Sequence, residues 1–245
     1  VSSAPLRPKL STVVLQFVGF IILVFSVRWF LYEPFTVPSG SMFPNLLIND
    51  YILVKKLDVG LRVPMTKRWL TGPHIPPRGK AVVFWSKKSQ VYFVKRLVGL
   101  PGDVLKIQGN QILSINGQPV TTEPAPRVWE LLRQDFPVED ARGVTARIEN
   151  YNAIKDMQIK SITLMYSDSP QSKITEVTVP ANQLFFMGDH RSSSSDSRVW
   201  GFVDIEDLVG PVEYILFSCA QKSVSTQFCN PKTIRWNRLF TKAHK

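Results

Sequence analysis

A serine hydroxyl becomes a nucleophile when a nearby base takes its proton, and three segments of this chain carry residue types suited to that exchange. The first is Pro38-Ser39-Gly40-Ser41-Met42-Phe43-Pro44, where two serines flank a glycine. Glycine permits a sharp backbone turn that can leave one hydroxyl exposed, although such a turn is also ordinary loop chemistry. The second contains Val91-Tyr92-Phe93-Val94-Lys95-Arg96-Leu97-Val98. A lysine within an apolar strand loses hydration, which lowers its pKa from about 10.4 toward neutrality and lets the amine accept a proton. Side chains alternate along a strand, so Lys95 and Arg96 face opposite ways. An exposed edge-strand lysine is the plainer alternative. The third runs from Met187-Gly188-Asp189-His190-Arg191-Ser192 through Ser194-Ser195-Asp196-Ser197-Arg198 to Trp200-Gly201. A flexible Ser-rich loop would explain the serines but not the flanking Asp, Arg, Trp and Gly.

These segments need elements to hold them. Residues 10–27 form an uncharged apolar run, which as a helix would span roughly 27 Å, close to the hydrocarbon thickness of a bilayer. Arg28 can snorkel, and Trp29, Phe30 and Tyr32 suit an interface, so a transmembrane helix is expected over residues 10–31. A cleaved signal peptide would have a shorter apolar core and a small-residue cleavage site after it, which the sequel Arg-Trp-Phe-Leu-Tyr-Glu-Pro does not supply. A buried core helix would show a polar face, and this run has none. Arg7 and Lys9 precede the run and Arg28 alone closely follows it, which favours residues 1–9 on the cytoplasmic side.

Beyond Pro34 the sequence breaks into short strand-like runs at 51–54, 81–85, 91–98, 104–107, 111–115, 162–166, 174–179, 184–187 and 212–217. Gly109-Asn110 and Asn116-Gly117 mark a small hairpin over 104–120, and only 128–134 reads as a short helix. The expected fold is mainly β. One N-terminal transmembrane helix precedes an antiparallel β domain formed by residues 32–103 and 179–245. That domain ends in a basic tail from Lys232 and carries an inserted, more irregular β subdomain at 104–178.

Composition narrows the partners. Thirty Lys and Arg against 19 Asp and Glu give a formal charge of +11, which suits an anionic partner. No nucleic-acid-binding module with interleaved aromatic and basic residues is present. Tethering beside a bilayer makes anionic lipid headgroups the simpler partner, met by basic residues such as Lys55, Lys56, Arg62 and Arg68 and by Trp69-Leu70 and Trp236. Two cysteines and three scattered histidines do not make a metal centre, so neither metal nor cofactor is expected. His190 beside Asp189 invites comparison with a Ser-His-Asp triad, but neighbouring side chains often diverge and Lys95 already fills the base role.

Taken together and in this order, the segments 32–56, 82–103 and 184–210 resemble the bacterial type I signal peptidase family, membrane-anchored Ser-Lys endopeptidases that remove signal peptides from exported preproteins. Residues 104–178 match it only loosely. The resemblance implies Ser41 as nucleophile and Lys95 as general base. It also implies that the Ser39 hydroxyl joins the Ser41 N–H in an oxyanion hole and that Ser194 orients the lysine. Asp189, Arg191, Asp196 and Arg198 match residues that brace the site, with Arg96 as a partner for one of the aspartates. The sequence departs from the family at His190, where Asn is common, and at Ser192, which replaces a commonly charged residue.

The resemblance further implies cleavage after small residues, as in Ala-x-Ala. Shallow apolar pockets lined by Phe35, Val37, Met42, Leu46, Ile52, Val83 and Val94 would enforce that choice. It places the chain in the bacterial inner membrane, single-pass over these residues, with the β domain on the periplasmic side. Oxidation is permitted there, so Cys219 and Cys229 form either one disulfide or two buried thiols. A catalytically inactive, membrane-tethered binding or assembly protein of the same fold is the alternative reading.

Overall fold

The uncharged Leu, Val, Ile and Phe of the first segment form a 17-residue α-helix, α1 (Leu10–Ser26). In this computed structural model, which describes residues 10–63, 66, 68–125, 144–150, 160–166, 173–220 and 229–243, its side chains find little cover. Leu15 is 73% exposed and Phe17 65%. Among the described residues no helix is long and apolar enough to cross a membrane. The helical backbone continues beyond α1 as a π-helical turn, Val27–Leu31, which leads straight into the first strand.

Fifteen strands follow among the described residues: β1 (Tyr32–Thr36), β2 (Asp50–Lys55), β3 (Ala81–Ser86), β4 (Val91–Gly99), β5 (Val104–Gln108), β6 (Gln111–Ile115), β7 (Gln118–Pro119), β8 (Thr121–Pro124), β9 (Val144–Asn150), β10 (Lys160–Tyr166), β11 (Ile174–Thr178), β12 (Gln183–Met187), β13 (Val203–Asp204), β14 (Leu208–Ser218) and β15 (Thr241–Lys242). A four-residue helix, α2 (Ser197–Trp200), lies between β12 and β13. The main antiparallel sheet has the order β1-β2-β14-β3-β4-β12-β13, with β15 added to β14. Within 104–178 the chain forms two smaller sheets, β11-β5-β6-β7 and β10-β9-β8. The expected helix at 128–134 lies outside the described residues.

The apolar runs of β3 and β12 are nearly continuous because both faces of these strands are buried. Ala81 and Val83 point into one core with Val37, Met42, Leu46, Ile52, Val54, Val212 and Ile215. Val82 and Phe84 point into another with Leu97, Leu184, Phe186 and Leu208. Phe185 and Met187 alternate into a third, shared with Leu105, Ile107, Ile112 and Ile115 of the β5–β6 hairpin. The β5–β6 hairpin therefore shares its core with β4 and β12, and this fixes how it sits beside the main sheet. The turn from β6 to β7, Asn116-Gly117, has φ of 52° and 78°, a left-handed pair that Asn and Gly adopt at low cost.

The segment read as a basic tail is folded in. Arg238 forms an ion pair with fully buried Asp50, and Arg235 donates to Ser218 Oγ and to the Ile48 carbonyl. Their charges are thus satisfied within the protein and do not belong to a lipid-facing patch. Cys219 and Cys229 are joined as a disulfide, their Cα atoms 5.8 Å apart, closing the loop that leads into this segment.

Candidate active site

Ser41 sits in a single 3-10 turn, Gly40–Met42, which leads from β1 toward β2. The buried Met42 and Leu46 anchor that turn in the core, and β2 returns beside β1 with Phe35 opposite Ile52. Beyond β14 and β3 in the same sheet, β4 carries Lys95 opposite Val82 of β3 and Arg96 opposite Ala81. The alternation along β4 sends these two cations to different sides. Lys95 Nζ lies 2.6 Å from Ser41 Oγ and 3.1 Å from Ser194 Oγ. Ser39 Oγ is 3.3 Å from Ser41 Oγ. Arg96 instead grips Asp189, with Nε and Nη2 donating at 2.6 and 2.5 Å. Both partners of that pair are buried, so losing either would strand a charge at a cost of about 3–5 kcal/mol.

Lys95 is only 3% exposed. Burial drives its pKa down from 10.5 to about 8, against the opposing pull of Asp196 and Asp189, with Arg198 adding a smaller downward push. A neutral amine within hydrogen-bond reach of a serine hydroxyl can accept its proton, and the lysinium so formed can return it to a leaving group.

The third segment wraps around this pair. Asp196 caps α2 and accepts from Gly188 N at 2.9 Å and from Arg198 Nε and Nη2 at 2.8 Å. Its burial opposes ionisation, but bonds from Arg198, Gly188 and Ser194 hold its pKa below the ordinary carboxylate value. Ser194 therefore bridges the Asp196 carboxylate and the Lys95 amine. His190 N donates to the Ser41 carbonyl at 3.0 Å, tying this loop to the serine turn through its backbone. Gly188 is required for space: a Cβ there would lie 2.2 Å from Ser194 Oγ and 2.6 Å from the Ser41 carbonyl oxygen.

The structure thus gathers Ser39, Ser41, Lys95 and Ser194 at one point, with Arg96, Asp189, Asp196 and Arg198 around them. Arg191 is fully buried; its Nη1 and Nη2 pair with Glu149 of β9, and its Nε donates to the Gly188 carbonyl at 3.1 Å. Of the seven expected pocket residues, Val37, Met42, Leu46, Ile52 and Val83 are buried core, and Phe35 and Val94 are half-buried against them. The floor beside Ser41 is therefore already filled by these side chains. Sequence reasoning missed Glu149, Asn45 (Nδ2 to Asp189 Oδ2, 2.7 Å) and Asn110, whose Oδ1 accepts from Arg198 at 2.8 Å. Asn110 lies in a turn that was visible as a Gly-Asn dipeptide. Nothing in the sequence near Glu149 or Asn45 marks their long-range partners.

Residues 10–217 match the family described as signal peptidase, peptidase S26. Signal peptidase I of Buchnera aphidicola subsp. Schizaphis graminum is 34% identical over 226 residues, covering 82% of this chain and 72% of the relative. Signal peptidase I of Pseudomonas fluorescens is 36% identical over 200 residues, covering 79% of this chain and 63% of the relative. The crystal structure of a signal peptidase I from Enterococcus faecalis V583 is 24% identical and covers 56% of this chain and 97% of that chain, with a TM-score of 0.32.

Proposed function

Because the chain belongs to the signal peptidase family of serine-type peptidases, peptidase S26, we propose that it removes N-terminal signal peptides from exported preproteins by Ser-Lys acyl transfer. The observation that carries this reading is the 2.6 Å approach of a buried, pKa-lowered Lys95 to Ser41 Oγ. Neutral Lys95 takes the Ser41 proton as Oγ attacks the scissile carbonyl, then protonates the departing amine. Ser194, held by Asp196, keeps the amine aimed at Ser41. The Ser39 hydroxyl and the Ser41 N–H receive the oxyanion, each such donor contributing about 3–4 kcal/mol to the barrier reduction. Water then hydrolyses the acyl-enzyme.

The substrate binds as an added strand. β1 is the terminal strand of the main sheet, and β12 pairs only with Arg96, Leu97 and Gly99 of β4, leaving the edge of β4 near residues 91–94 open among the described residues. A peptide laid between these edges would use main-chain bonds for affinity and shallow pockets for choice. Phe35 and Tyr92, their rings 5.2 Å apart, lie where it would pass. Because the floor is filled, the residue before the cut must be small. A panel of model preproteins that differ only at that residue should be cut with Ala, Gly or Ser there and resist cutting with Leu, Phe or Trp. Equal cleavage after large residues contradicts the pocket reading.

Residues 10–31 serve as a single membrane anchor in this reading. The support is the exposed apolar side chains of α1, whose helical backbone continues through Val27–Leu31, with the exposed Arg28 near its end. With Arg7 and Lys9 on the cytoplasmic side, the β domain lies outside the bacterial inner membrane, where preproteins emerge. Anionic lipids meet the exposed Arg68 beside the exposed Leu70, whereas Lys55 and Lys56 pair with Asp58 and Glu33.

A further inference from the structure

Glu149 is an acidic residue with no exposed surface, and it enters the site region from β9 of the separate β10-β9-β8 sheet. Its carboxylate meets both terminal nitrogens of Arg191, which is itself completely buried. A bidentate pair of this kind fixes the plane as well as the position of the guanidinium. Arg191 Nε then donates to the Gly188 carbonyl, and the Arg191 carbonyl accepts from Arg198 Nη2 at 2.7 Å. Gly188 packs so closely on Ser194 that not even a methyl group fits between them, and Ser194 contacts Lys95 Nζ. β10 of the same small sheet lies against the 191–193 turn. An unbroken series of contacts therefore runs from the inserted subdomain to the amine.

From this geometry we infer that Glu149 is a positioning residue for the Ser-Lys chemistry: acting through Arg191 and Gly188, it holds Ser194 against Lys95, so the inserted subdomain contributes to turnover as well as to packing. The inference rests on the functional reading above. The pair has no other evident reason to be charged, since apolar side chains of similar volume fill a buried space at least as well. What such side chains would lack is a donor for the Gly188 carbonyl. Without it the 188–194 loop is free to shift, and water and the charges around Lys95 (Asp189, Asp196 and Arg198) rearrange.

The test compares the full wild-type chain with Glu149→Gln and with the double variant Glu149→Leu/Arg191→Met. The single variant leaves Arg191 without its counter-charge and risks misfolding; the double variant removes both charges and keeps the volume. Two readouts are taken on folded protein. In NMR of 13C-labelled lysine, the Lys95 titration should move from about 8 toward 10.5 in both variants. In preprotein cleavage, kcat should fall on the order of ten- to a hundredfold while KM stays within about twofold, as for a misplaced catalytic group. A double variant with wild-type titration and wild-type kcat overturns the inference, because the pair would then be packing alone. A raised KM with unchanged kcat also overturns it, assigning the subdomain to substrate binding. The titration needs no cleavage, so a wild-type chain that cuts no preprotein would defeat the functional reading while the role of Glu149 was still decided.

Discussion

Replacing Lys95 by alanine or methionine should lower preprotein cleavage by about 10²–10⁴-fold, the range for losing a general base. The loss should lie in kcat, since Lys95 is almost fully buried and offers the substrate little surface. Folding should survive. Lysine whose folded pKa is lowered to about 8 binds its proton less tightly than the unfolded chain does. Its burial therefore weakens the fold fully below about pH 8, and this penalty is relieved as pH rises from 8 toward 10.5. Lys95→Met removes that penalty, so at neutral pH it should unfold at a temperature no lower than wild type. In the wild-type enzyme, activity should climb as pH rises through about 8, where half of the Lys95 amines are neutral. His190→Asn, in contrast, should retain most activity. Ser41 Oγ meets Lys95 and Ser39, whereas His190 meets Ser41 through its backbone N–H, which Asn also has. An inactive His190→Asn beside an active Lys95→Ala would replace the dyad with a histidine-based mechanism.

Gly188→Ala should be nearly as damaging although it removes no functional group. The added methyl would stand 2.5 Å from Ser194 Cβ, 2.2 Å from its Oγ and 2.6 Å from the Ser41 carbonyl oxygen. Ser194 can rotate away only by leaving Lys95, and the Ser41 carbonyl can retreat only by moving the nucleophile. Shifts near 1 Å in such sites cost on the order of 10²-fold in rate, while overpacking costs about 1–3 kcal/mol of stability. Measuring kcat/KM beside the urea midpoint separates the two effects. Wild-type kcat/KM in the folded variant would show that Ser194 need not sit where it does.

The parts of this site that were legible in the sequence were those governed by short periods. Alternation along β4 already separates Lys95 from Arg96, and the apolar residues around them make β3 and β4 recognisable at nearly their observed boundaries. The Asn116-Gly117 turn was equally plain because its φ angles demand those residues. That Ser41, Lys95 and Ser194 meet was visible only through resemblance, since 54 residues separate the first two and 99 the last two. β9 escaped notice although VTARIEN alternates Val, Ala and Ile with Thr, Arg and Glu; what the pattern could not show is that Glu149, on its polar side, is buried against Arg191 far along the chain. The same cause misled the reading of the C-terminal segment. Arg235 and Arg238 look like a solvated basic tail until Asp50 and Ser218, fully buried at facing ends of β2 and β14, are seen to receive them. Buried charge depends on a partner distant in sequence, and a linear pattern does not disclose it.

The central claim is that Ser41 attacks the preprotein. It is tested most directly by incubating the full chain, in detergent or lipid, with a model preprotein and identifying the new amino terminus. Wild type should make one cut after a small residue at the signal-peptide boundary, and Ser41→Ala, equally folded, should make none above background. Cleavage at that bond by Ser41→Ala at the wild-type rate would contradict the account.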